Sequence, residues 1–169
     1  MIERSLLVVL YMVIGGVVTL TLVGVVHLQN RPNLKLWHKA YLDAEFTADS
    51  PVSDFAGYLA QEERLFAQLN RHVLDRLPAS DRVPINRYHR GSLTDPGRWE
   101  KNWNRTFELT TPAPTAGVLL LHGMSDAPYS LRRLGLDLNE KGAWVVGLRL
   151  PGHGTIPSGL VRLRGQDMA

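Results

Sequence analysis

Between Ser5 and Leu28 the chain runs for 24 residues, SLLVVLYMVIGGVVTLTLVGVVHL, without an Asp, Glu, Lys or Arg. As a helix this run is about 36 Å long, against a bilayer hydrocarbon core of about 30 Å, so it spans with some tilt. A cleaved secretory signal has a shorter apolar core and ends in a small-x-small site, whereas this run ends in Val26-His27-Leu28-Gln29. A buried soluble helix is the other alternative, and Gly15, Gly16, Gly24 and the many β-branched residues make it a poor one in water. Residues 1–28 are therefore expected to be a retained, single-pass transmembrane signal anchor. His27 fits an interfacial residue better than a proton relay.

What remains of the 169 residues is enough for one modest domain. Positive charge beside the span (Arg4 before it; Arg31, Lys35 and Lys39 after it) favours a cytoplasmic body. A four-residue tail and a long following domain weaken that rule, and the body is expected on the periplasmic or extracytoplasmic side. There is no Cys, so no disulfide framework, and a net charge of +3 is too small for a nucleic-acid partner.

Residues 29–104 read as a juxtamembrane helical and loop region. Trp37 and Tyr41 suit either the headgroup zone or docking on the body. Over 53–77, Phe55, Tyr58, Leu59, Leu65, Phe66, Leu69, Val73, Leu74 and Leu77 recur at spacings of 3 and 4. That predicts an amphipathic helix capped by Ser53 and closed by Pro78, its stripe packed on the body or offered to a partner or membrane surface. Residues 78–105 are loop-rich and basic, which fits a solvated surface or anionic headgroups.

Residues 103–109 alternate as a strand. The apolar run Gly117–Leu121 predicts a strand buried on both faces of a parallel sheet. A helix follows over Tyr129–Lys141, with Leu131, Leu134 and Leu138 inward and Gly142 as its stop. The second apolar run, Ala143–Leu150, completes strand–helix–strand, so the two strands are predicted parallel. Loops 122–128 and 151–159 then lie at the carboxyl ends of parallel strands, where open α/β sheets place their ligands. Gly123 allows close backbone approach, and amide N–H groups aimed outward suit a developing oxyanion.

LLLHGMSDAPYSLRRLG followed by VVGLRLPGHGTIPSG resembles the α/β-hydrolase fold, and within it the lysophospholipase, monoacylglycerol lipase and serine aminopeptidase group. The resemblance covers residues 105–165 and makes 105–169 a partial hydrolase domain. It implies an N-terminal part of a membrane-anchored serine hydrolase acting on ester or acyl bonds. His122 and Gly123 would form the oxyanion loop, the Met124 backbone N–H would bind the oxyanion, and the His122 ring would hold the loop rather than act as base. The family's G-x-S-x-G elbow, acid and base come later in order, and none lies within these residues, so the chain is expected to be truncated before the elbow.

Gly123-Met124-Ser125-Asp126-Ala127 reads G-x-S-x-A between strand and helix, which makes Ser125 a rival nucleophile. Against it stand the position of His122, the distance to Pro151-Gly152-His153-Gly154, and the few acids and bases left after it. The six His, at 27, 38, 72, 89, 122 and 153, lack metal-ligand spacing, and no G-x-G-x-x-G is present, so neither metal nor cofactor is expected. The implied partners are the membrane and a lipid or small-molecule ester. The rival class is a non-catalytic anchored module that docks a partner, because so small a sheet leaves an open edge and an uncovered apolar face.

Overall fold

The computed structural model describes residues 2–168, which divide into two compact units, 2–34 and 35–168. The first holds α1 (Ile2–Gln29), a single apolar helix whose Arg4–Gln29 stretch is long enough to cross a membrane and has no buried side chains. With 28 residues it runs about 42 Å.

The second unit is a mixed α/β structure: α2 (Leu36–Lys39), α3 (Phe55–Leu69), β1 (Phe107–Leu109), β2 (Ala116–Leu121), α4 (Arg132–Glu140), β3 (Ala143–Leu148) and α5 (Pro157–Val161). The sheet has the order β1-β3-β2. β2 and β3 pair in parallel with Leu121 opposite Leu148, as the strand–helix–strand pattern predicts. β1 pairs antiparallel to β3, so the sheet is mixed rather than all-parallel.

Several boundaries differ from expectation for local reasons. Asp54, not Ser53, caps α3, its carboxylate accepting the Gly57 N–H at 2.7 Å. The helix continues only as a π turn over Asn70–Leu74, where the Asp75 N–H reaches back to the Asn70 carbonyl. β1 starts at Phe107 instead of residue 103, because the Asn102 side chain accepts the Asn104 N–H and turns the chain. The helix expected over 129–141 opens as a 3₁₀ turn at Pro128–Leu131 before becoming α4.

Along the 3₁₀ turn and α4 the inward line is Leu131, Gly135 and Leu138. Leu134 is 49% exposed, contrary to its predicted place. Gly135 is buried against Phe107, and a Cβ there would lie 3.0 Å from the Phe107 ring. Leu131 and Leu138, with Trp103, border a core of Phe107, Leu120, Ala143 and Val145. This is the covered side of the sheet. β2 is not buried on both faces as expected: Leu119 is 59% and Leu121 55% exposed, because no described element lies over that side.

A second core gathers Leu65, Phe66, Leu69, Val73 and Leu77 of the α3 stripe with Leu42, Tyr88 and Ile156. Trp37 stacks on Tyr88 with centroids 5.1 Å apart, so this aromatic docks on the body. Tyr41 stays exposed beneath the Arg162 guanidinium. The basic loops are tied locally: Arg90 pairs with Asp75, Arg105 with Glu63, and Asp95 accepts the Gly91 and Gly97 amides.

Candidate functional site

The parallel register brings the ends of β2 and β3 side by side, and with them loops 122–128 and 149–156. His122, 5% exposed, links the two. Its Nε2 lies 3.1 Å from the Leu150 N and its Nδ1 2.9 Å from the Gly123 carbonyl. An amide N–H only donates and a carbonyl only accepts. The ring therefore carries its proton on Nδ1 and offers the Nε2 lone pair to Leu150. Burial, with His153 alongside, pushes the His122 pKa below its ordinary value against the pull of the Gly123 carbonyl. Both nitrogens of a neutral imidazole are thus engaged, and the ring acts as a clasp.

The clasp shapes the adjoining turn. The Gly123 carbonyl also accepts the Asp126 N–H at 3.2 Å, closing that turn. Within it Ser125 has φ 64°, the only left-handed non-glycine among the described residues. The Asp126 carboxylate accepts from the Ser130 hydroxyl at 2.6 Å and the Ala127 N–H at 2.7 Å. The Ser130 hydroxyl foremost holds its pKa below the usual range. Met124 is 76% exposed, and its N–H has no hydrogen-bond partner among the described residues. A Cβ built on Gly123 would meet nothing within 4 Å, so the backbone here is open to an approaching molecule.

Across the gap, His153 is 2% exposed, with its ring centroid 5.1 Å from that of His122. Its Nδ1 donates to the Pro151 carbonyl at 2.7 Å. Its Nε2 and the Thr155 hydroxyl are buried and without partners among the described residues. Gly154, at φ 74°, passes so close to the Asn104 carbonyl that a Cβ would sit 2.5 Å from it. A cavity of about 390 Å³ is lined by Ser125, Asp126, Tyr129, His153, Thr155 and Arg87 among others. Its wall begins at Ser125, one residue past the free Met124 amide. A second cavity, about 420 Å³ between residues 40–47 and 155–167, touches neither His122 nor loop 122–128.

Sequence reasoning picked out His122, Gly123, Met124 and Ser125, and these share one turn. It missed the polar group beneath them. Arg149 is 1% exposed, yet its Nε meets Glu62 at 2.9 Å and its Nη2 meets Glu45 at 2.8 Å. Nη1 donates to the His153 carbonyl at 3.0 Å and the Leu150 carbonyl at 3.3 Å. Glu62 also takes the Thr106 N–H and hydroxyl, and Tyr58 donates to the Arg149 carbonyl. Burial alone would lower the Arg149 pKa, but Glu45, with Glu62 contributing, outweighs it and raises it, so the guanidinium is charged. The available signal was a lone Arg inside an otherwise apolar strand run.

No protein-family model matches the chain, and no curated protein matches it.

Proposed function

We propose that the chain is the N-terminal part of a membrane-anchored serine hydrolase acting on ester or acyl bonds, with loop 122–128 as its oxyanion loop. The observation that carries this reading is the Met124 N–H, which is unpartnered among the described residues. It lies in an exposed turn that His122 clasps at the carboxyl ends of two parallel strands. A preorganised, unpaired donor beside a cavity suits the charge that develops on a carbonyl oxygen under attack. His122, with both nitrogens engaged, positions the loop. The nucleophile would come from a G-x-S-x-G elbow downstream of Ala169, and the body would face the extracytoplasmic side.

The test uses a fluorophosphonate probe on the full chain in membranes and on a product extended through the coding sequence beyond Ala169. The extended product should label at a downstream Ser, and the 169-residue chain should not. Met124→Pro, which deletes the N–H, should slow labelling of the extended product by about 10²–10³-fold. Labelling at Ser125 instead would make that residue the nucleophile and overturn the assignment of the loop.

A second reading draws on the bare sheet side, where Leu119, Leu121 and Trp144 are exposed. It makes the chain a non-catalytic anchored module that docks a protein partner through that face. An absence of labelling in both products, with a partner shielding Trp144, would favour it.

A further inference from the structure

We propose that Glu62 of α3, together with Glu45, is a positioning residue for loop 122–128, acting through Arg149 and the 150–153 loop. Its functional meaning rests on the hydrolase reading, and its geometry stands independently of it.

The connection is continuous. Glu62 and Glu45 grip one guanidinium from two sides, through Nε at 2.9 Å and Nη2 at 2.8 Å. Nη1, which also reaches the second Glu45 oxygen at 3.2 Å, faces the carbonyls of Leu150 and His153, so the guanidinium holds both ends of the 150–153 turn. The same Leu150 turns its N–H to His122 Nε2, and the His122 Nδ1–H holds the Gly123 carbonyl. The next peptide N–H in the chain is that of Met124. Glu62 is therefore linked to the loop through four successive groups, each with its own hydrogen bond.

The Glu62 carboxylate is 4% exposed and also accepts the Thr106 N–H and hydroxyl, whose oxygen takes the Arg149 N–H at 3.0 Å. It thus fixes the strand end and the guanidinium together. A charged Arg needs both carboxylates to lie buried here, and its planar fork transmits their placement as a direction rather than as a point charge. On this inference α3 and residue 45, which precede the sheet, belong to the machinery of the site.

The experiment follows Leu150 and His122 by NMR in the full chain, reconstituted in lipid nanodiscs. In the wild type the Leu150 amide should exchange slowly, and the His122 ring should stay neutral, protonated on Nδ1. The charged or titratable groups around that ring are His153, Asp126 and Arg149. In Glu62→Gln the carboxamide still accepts from Thr106 but no longer neutralises Arg149. Leu150 exchange should rise about tenfold while the β2–β3 ladder amides keep their protection, and the His122 ring should lose its single Nδ1-protonated tautomer signature.

Unchanged Leu150 and His122 would overturn the inference. An equal loss of protection across the ladder would do so too, because Glu62 would then support the fold in general. Should Glu62→Gln fail to fold, Glu45→Gln, at the 17% exposed side of the pair, carries the same readouts and the same outcomes. None of these readouts needs turnover. A coupled Leu150 beside an unlabelled extended product would uphold the positioning link and reject only the hydrolase reading.

Discussion

The two sides of β3 invert the usual rule of folding. Where the strand ends toward α3, the body buries a charge: Arg149 is 1% exposed. On the bare side of the sheet it leaves Leu119 at 59% and Trp144 at 43% exposure. The difference lies in what each group meets. Arg149 meets two carboxylates and two carbonyls, which together replace its water. Leu119 and Trp144 meet no covering layer among the described residues. Burial here follows the supply of complementary partners more than the polarity of the side chain.

Breaking the polar side should have the largest effect. Arg149→Met leaves two carboxylates without a counter-charge and should lower unfolding stability by about 3–5 kcal/mol in urea titration. A loss below about 1 kcal/mol would mean the pair is weak or water-filled. Next comes the covered face of the sheet. A Cβ at Gly147 would sit 2.2 Å from Phe107 Cε1, so Gly147→Ala should cost about 1–3 kcal/mol by overpacking. Thermal unfolding at the wild-type midpoint would contradict that packing.

A smaller effect should come from the clasp. The folded pKa of His122 lies below its ordinary 6.5, so below about pH 6.5 the unfolded chain binds the proton that the folded ring resists. Stability should therefore fall as pH drops through that value and recover above it. His122→Gln should flatten this slope, and an identical slope in the variant would place its origin elsewhere. The smallest effect belongs to the bare face, where Leu119→Ser should change stability by no more than about 0.5 kcal/mol. A larger, concentration-dependent loss would mean that the face is covered in solution, and would erase the contrast from which these tests start.

Patterns that repeat along the chain were readable without coordinates. The uncharged run became α1, and the 3–4 spacing of Leu65, Phe66, Leu69 and Val73 became the buried stripe of α3. The two apolar runs paired in parallel. Leu134 was misplaced because its periodicity fits two neighbouring faces, and packing against Phe107 selected the one through Gly135. The 103–109 strand was overextended because one Asx turn outweighs alternation at its start. His122 and Gly123 stood out as a local motif. Glu62 and Arg149 did not, because 87 residues separate them and no local spacing records so distant a pair.

That distant pair changes what residues 35–104 are. A stretch between a long apolar helix and a sheet invites treatment as a spacer, to be shortened or exchanged at will. Here the spacer carries the counter-ions of the sheet. A chimera that grafts residues 105–168 onto a foreign tether would inherit Arg149 without Glu45 and Glu62, and would fold only where the new leader supplied acids at matching places. The natural unit of transplantation therefore begins upstream of Glu45.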